Sequence, residues 1–505
     1  MATEKTHILK APQGLSGSSH AFTSASPSSD DPVVDQSDEK ELVTIERTSA
    51  SSASILESGL AGGVAGFLDR SIPLSGMSET GFNYVNSIIG SGVIGIPYAL
   101  HRAGFFTGIL LLILISILTD YSLIILVKAG NIAGVSTYQD VVEAAYGRPG
   151  FYLLTVIQFI YPFIAMISYN VIIGDTATKA LVRIFNVSTR DSWFLNRNTV
   201  VLLTTLLVTL PLSLQRNMAR LNKISLISLL FVFFIMFFIV WRLVFPIVQI
   251  DSSPDAYSFI GGGVTEAIGI ISFAYMCHHS SFLVYESMEN PTQSRWNRIT
   301  HISLAVSFAI VFVFGVAGYV SFTGFSEGDL LENYCTSDNA ALLARLLFGV
   351  TIMLTYPIEC FVVRDVFMNA IASEKHQMVS ENKHYITTIC IVTAVYALST
   401  LTDCLGIVLT LNGVLAAVPL AYILPAVTYL KLDPGRLLTP EKVPAFLLAA
   451  VGVLVAVCGT FLSIMDVMSG ISCSHGKEHS YCTDSRHHQL DLMRLMNVTT
   501  LTPAR

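Results

Sequence analysis

Between residues 80 and 468 the chain alternates long apolar runs with short polar connections. The runs fall near 80–100, 105–128, 151–173, 198–213, 221–247, 263–286, 300–323, 341–363, 384–403, 405–430 and 444–468. A helix of roughly 20 such residues crosses the hydrocarbon of a bilayer. The pattern therefore predicts an all-α polytopic membrane protein with eleven spans. The fourth run is short, and the boundary between the ninth and tenth is weakly marked.

The first run breaks the pattern from within. Phe82-Asn-Tyr-Val-Asn-Ser-Ile-Ile-Gly-Ser-Gly-Val-Ile-Gly-Ile-Pro-Tyr-Ala99 is apolar, yet it holds two asparagines, Gly90-Ser91-Gly92, Gly95 and Pro97. Glycine costs about 1 kcal/mol in a helix interior and proline removes an N–H. In lipid the groups so released need protein, water or a ligand to satisfy them. A span broken near the membrane centre is a candidate site for a polar solute, with the next half-helix aiming its N–H groups at an anion.

Residues 1–75 are rich in Ser, Asp, Glu and Thr, and their composition predicts a disordered cytoplasmic tail. The spans occupy 76–468, and 469–505 form a second tail. Of the 505 residues, 52% are hydrophobic and only 13% charged, with a mean hydropathy of +0.61. A soluble protein carries roughly twice that charge. The net charge of −7 lies largely in the N-terminal tail and argues against nucleic acid as a partner.

Charge also orients the chain. With the N-terminus inside, thirteen Lys and Arg fall on inner connections (Lys128, Arg148 and Arg216 among them) against seven at the outer side, such as Lys179 and Arg197. Eleven spans then put the C-terminus outside. The sequons at Asn186 and Asn497 and the cysteines Cys335, Cys473 and Cys482 fall on that outer face, where glycans and disulfides form. Cys335 with Cys473 or Cys482 is a candidate pair, and Cys404 lies near the same surface. Cys277, Cys360, Cys390 and Cys458 read as buried packing thiols. Metal-ligand spacing, a phosphate loop and a nucleophile–base motif are all missing, so nothing points to an enzyme or to a cofactor.

Two further spans carry polar groups. The sixth includes Phe273-Ala-Tyr-Met-Cys-His278-His279-Ser-Ser, without glycine or proline to mark a break. An architecture of two inverted five-span halves would make it the counterpart of the first. The eighth holds Thr351 and Thr355, an i, i+4 pair, then Pro357. Their hydroxyls could serve a sodium ion, although intramembrane threonine more often bonds back to its own helix. Asp120 in the second span reads equally as a structural partner or a proton relay. His278 reads as a hydrogen-bonded packing histidine, with a gate or pH sensor as the alternative.

These residues resemble the sodium-coupled neutral amino acid transporters of the amino acid/auxin permease group. Asn86-Ser-Ile-Ile-Gly90-Ser91-Gly92 matches that family's first-span signature. Thr355-Tyr-Pro357 with Arg364 matches its eighth span, and Phe273-Ala-Tyr-Met-Cys277-His278 its sixth. Stretches such as 158–170 and 401–409 are most similar to member eleven. The resemblance implies the leucine-transporter fold, with ten core spans in a 5+5 inverted repeat plus an eleventh. It implies a monomer in the lipid bilayer that carries neutral amino acids with sodium as a co-transported ion. Asn86, the Ile89 carbonyl, Thr351 and Thr355 would hold sodium; the amides of Gly90, Ser91 and Gly92 the substrate carboxylate; carbonyls of Ser272, Phe273 and Ala274 its ammonium. His279 departs from the family's Cys-His-Pro. The plasma membrane is expected, with an endolysosomal membrane, an amino acid sensor and proton coupling as the alternatives.

Overall fold

The computed structural model describes residues 76–185, 193–215, 218–371, 381–402, 404–436, 439–468 and 479–482. Every apolar run becomes helical. The first span comprises Met77–Ile88 and Ile96–Ala103, joined by a 3-10 turn at Ser91–Gly95. The second is Phe105–Ala133, and the third lies in Tyr138–Phe185, which bends at Gly147 (φ 67°). The fourth runs from Arg197–Thr204 through a widened turn to Leu210–Ser213, and the fifth is Met218–Val244. The sixth consists of Val264–Ala274 and Ser281–Glu286, followed by Gln293–Phe322, Asn339–Ile371 and Glu381–Ser399 as the seventh to ninth. The tenth joins Leu405–Asn412 to Leu424–Leu432 through widened turns, and Val443–Met468 is the eleventh.

Eight of these, among the described residues, are long and apolar enough to cross a bilayer on that ground alone. The first falls short because it is broken, and the fourth because Arg197–Ser213 is brief. The ninth has the length, but Glu381, Lys383 and His384 make its start polar.

Burial separates centre from periphery. The sixth and tenth spans are 72% buried, the fifth and eleventh only 28%. Leu230, Phe237, Leu454, Val457 and Phe461 face outward and exposed, as lipid-facing side chains do. Cys390 and Cys458 are exposed on such faces too, contrary to the expectation of packing thiols; in a bilayer an apolar thiol meets lipid without penalty. Cys277 and Cys360 are buried as expected. The central spans touch backbone to backbone: any side chain at Gly413 would collide with the Gly269 carbonyl. The start of the sixth span is tied to the end of the first by a two-pronged Arg102–Glu266 pair, both contacts 2.6 Å.

A cap of short turns connects the seventh and eighth spans. Cys335 forms a disulfide with Cys482, and Tyr481 Oη donates to Asn333 O at 2.8 Å. Cys404 is disulfide-bonded as well. Cys473, Asn186 and Asn497 lie outside the described residues. Lys179 meets Glu332 at 2.6 Å, and Arg242 forks onto Asp338 with two contacts of 2.7 Å. The buried Arg345 donates to the carbonyls of Leu331 and Tyr334. These ties seat the Leu330–Asn333 turn against the Ser91–Gly95 turn of the first span.

Candidate functional site

The first span unwinds where its glycines begin. Ile89 N–H still closes a helical bond to Val85 O at 2.9 Å, but Ile89 (ψ 97°) and Gly90 (φ −123°, ψ −157°) are extended. Val93 N–H reaches back to Gly90 O at 3.5 Å, and helix resumes with Pro97 in its first turn, where a missing N–H costs nothing.

The sixth span is broken beside it. Its first helix ends at Ala274, and Tyr275 and Cys277 depart from helical angles (φ −96° and −141°). Three donors converge on the freed Cys277 carbonyl: Ser280 N at 3.1 Å, Ser280 Oγ at 2.9 Å and Ser281 Oγ at 3.2 Å. The breaks are stitched together by Ser87 Oγ with Ser280 Oγ at 2.8 Å and by Tyr84 Oη with Ser281 Oγ at 2.9 Å.

The structure therefore brings the two halves of the predicted substrate site into contact. A methyl added at Gly92 would lie 2.7 Å from Ala274 Cα and 2.9 Å from Phe273 Cδ1. Ser272, Phe273 and Ala274 are buried against the break, while Gly90 is exposed and has open space where a side chain would point.

The expected sodium ligands lie on two spans. Asn86 and Ile89 stand in the last turn before the break, the first half-buried and the second buried. Thr351 Oγ1 donates to Leu347 O at 2.9 Å and Thr355 Oγ1 to Thr351 O at 2.7 Å, both along their own helix. Such a hydroxyl has spent its proton and keeps lone pairs for a cation. The eighth span packs along the third, where the ring centroids of Tyr169 and Tyr356 lie 6.5 Å apart.

Glu359 escaped the sequence reading. The signal was present: Glu359 is an ionisable residue inside a predicted span, and it follows Thr355 by one helical turn. Glu359 is half-buried. Tyr161, one of its neighbours, reaches the other break, with ring centroids 5.7 Å from Phe273 and 5.8 Å from His279.

Asp120 and His278 resolve differently. Asp120 Oδ2 meets His301 Nδ1 at 2.6 Å, which makes it a partner between the second and seventh spans. His278 is fully buried, with Nε2 3.3 Å from Ser122 Oγ, and packs as the bland reading expects. Ser122 Oγ also donates to Ala421 O.

Paired interrupted helices with apposed main-chain groups define a solute carrier rather than an enzyme. Residues 74–467 match the model of the transmembrane amino acid transporter protein family, to which this chain belongs. A zebrafish (Danio rerio) protein named "Putative sodium-coupled neutral amino acid transporter 11" is 44% identical over 85% of this chain and 95% of its own length. The human protein of that name is 43% identical over 75% and 92%. The Saccharomyces cerevisiae "Vacuolar amino acid transporter 2" is 30% identical over 79% and 86%. Among solved structures, an Eremococcus coleocola manganese transporter aligns over 83% of this chain and 92% of its own, at 14% identity and a TM-score of 0.49; that likeness is too loose to bear on this chain.

Proposed function

We propose that the protein is a secondary active transporter that moves a neutral amino acid together with sodium by alternating access. The observation that carries this reading is the apposition of two helix breaks, Gly92 against Phe273 and Ala274. Amides released at Gly90, Ser91 and Gly92 suit a carboxylate at the start of the following half-helix. Carbonyls released where the Val264–Ala274 helix ends suit an ammonium group. A zwitterion placed between the breaks satisfies both sets at once, which selects amino acids over singly charged solutes.

Sodium bound by Asn86, the Ile89 carbonyl, Thr351 and Thr355 would hold the unwound segment in its receptive shape. Its inward movement supplies the driving force, about 2.3 kcal/mol per charge across 100 mV before any concentration term. The names of the zebrafish and human relatives support sodium and neutral amino acids. We assign the cap bearing the Cys335–Cys482 disulfide to the outer or lumenal face. Counterflow of labelled amino acids into proteoliposomes, with sodium present or replaced by choline, tests the reading. Thr355→Ala should lose sodium-dependent uptake while reaching the membrane in normal amount; normal sodium-dependent uptake by that variant would remove Thr355 from the site.

A further inference from the structure

The tenth span changes its winding between its two halves. Leu405–Asn412 and Leu424–Leu432 are ordinary helix, and two widened turns, Gly413–Ala417 and Pro419–Ile423, run between them. In each turn the closing N–H reaches five residues back, Val418 to Gly413 O and Leu424 to Pro419 O. The second turn therefore strands two carbonyls. Leu424 N–H would serve Leu420 O in an α-helix but is spent on Pro419, and Pro425 has no N–H for Leu420 O or Ala421 O. In lipid such carbonyls need donors from elsewhere, and both have one. Tyr138 Oη donates to Leu420 O at 2.8 Å, and Ser122 Oγ donates to Ala421 O. The next side chain is held as well. Thr119 spends its proton on Ile115 O at 2.8 Å, so its oxygen accepts from Tyr422 Oη at 3.0 Å.

Ser122 also faces the sixth-span break. Its proton lies on Ala421 O, so its lone pair accepts from His278 Nε2 at 3.3 Å. His278 directly follows Cys277, whose carbonyl gathers the three donors at that break. A run of hydrogen bonds thus leads from the sixth-span break through His278 and Ser122 into the second widened turn. We propose that the widened turns are a hinge on which the tenth span bends during transport, and that His278 and Ser122 are positioning residues that couple this bend to the sixth-span break. The inference rests on the transporter reading given above.

The packing on either side suits a hinge better than a fixed kink. The first half is pressed backbone to backbone on the sixth span: a methyl added at Gly269 would lie 3.0 Å from Thr410 O. Asn412, closing that half, donates to Tyr161 O at 3.1 Å, and the Tyr161 ring packs on Phe273 and His279 of the break. The second half is tied elsewhere. Lys128 Nζ of the second span donates to Tyr429 Oη, and Tyr146 Oη, before the Gly147 bend, donates to Val427 O, both at 2.9 Å. Rearrangement at the break carries the first half while these ties hold the second, and the turns between them take up the difference. Bending is cheapest there, because side-chain hydroxyls that can rotate, not helical N–H groups, hold the Leu420 and Ala421 carbonyls.

The test uses the full-length protein in proteoliposomes, with spin labels at Leu401→Cys and Lys431→Cys, exposed positions flanking the span, and Cys390 and Cys458 replaced by alanine. The distance between the labels is read in sodium with and without a mixture of neutral L-amino acids. Equilibrium binding and counterflow of the same mixture, isotopically labelled, are measured beside it. In this parent protein the mixture should shift the distance. His278→Leu should abolish the shift and slow turnover about tenfold, the worth of one hydrogen bond, with binding unchanged. His278→Gln, whose amide keeps a donor near the Nε2 position, should restore both. Ser122→Ala and Tyr138→Phe, each leaving a turn carbonyl bare, should slow turnover at least as much, and Ser122→Ala serves in place of His278→Leu where that variant does not fold. Tyr146→Phe should behave as the parent, because Val427 O lies within regular helix and has a main-chain donor. A parent whose label distance ignores the mixture overturns the hinge. A full shift in His278→Leu overturns the coupling, as does equal loss of binding and turnover in His278→Leu and His278→Gln. Counterflow of no amino acid by the parent would instead overturn the transporter reading, and this inference with it.

Discussion

The two helix breaks meet face to face but are encoded in opposite ways. In the first span, Gly90 lies extended with open space beside it, Gly92 is pressed against Ala274 Cα, and Pro97 opens the second half. Side chains have been removed so that the backbone can turn and approach. In the sixth span Ala274, Tyr275, Met276 and Cys277 keep theirs, at backbone angles that any residue tolerates. There Ser280 and Ser281 give the Cys277 carbonyl three donors where the second half begins. A membrane helix can thus be interrupted by omitting atoms or by supplying donors, and only the first way leaves glycine in the sequence.

The largest effect should come from filling the first break. Gly92→Val places atoms where Ala274 and Phe273 already stand, 2.7–2.9 Å from the new Cβ. Cores do not yield to such overlap without shifts worth about 1–3 kcal/mol, and a site requiring the two breaks in contact should lose uptake by at least about a hundredfold. Gly90→Ala is the matching control for the same break: its Cβ meets nothing within 4 Å, so its loss should stay under about tenfold. Equal losses for the two would mean that backbone freedom, not close approach, is what the first break requires.

The sixth break should give way more gradually. Replacing Ser280 and Ser281 together by alanine removes two hydroxyl donors from Cys277 O and the contacts to Ser87 and Tyr84. Each hydrogen bond is worth about 1 kcal/mol, so the double variant should melt a few degrees lower and lose uptake by less than the Gly92 variant. Unchanged melting and uptake would show that packing alone holds this break open.

This contrast also explains what was legible. Apolar runs locate every helix, because a helix in lipid must be apolar over its length. The first break is visible through Gly90, Gly92, Gly95 and Pro97. The sixth could be inferred only by analogy with the first, since serines after Cys277 read as ordinary polar residues until their partners are known. Cys335 was identified with two candidate partners, and only the folded chain selects Cys482. Glu359 was overlooked because the eighth span was read for sodium ligands. Contacts between distant spans leave no local pattern.

The cap distinguishes the breaks once more, because the Leu330–Asn333 turn sits on the first of them. At the start of that turn Asp329 is 1% exposed. Its Oδ1 accepts from Leu331 N at 2.9 Å, while Oδ2 has no partner among the described residues. Burial raises its pKa well above the ordinary 3.8, and the nearby Glu332 and Asp175 charges raise it further. A carboxyl raised in the folded state stabilises it fully below the unfolded pKa, and that contribution is lost as pH climbs through the folded value. His479, on the same cap, is shifted down by burial and acts with the opposite sign, so the informative quantity is the difference between variant and wild type. Asp329→Asn keeps the Oδ1 acceptor and cannot ionise. The variant should melt with the wild type near pH 4 and above it at pH 7.5, by a margin smaller than the losses expected at either break. A gap constant across that range would mean that Asp329 carries no strain of charge, and that the cap rests on the first break through packing and its disulfide alone.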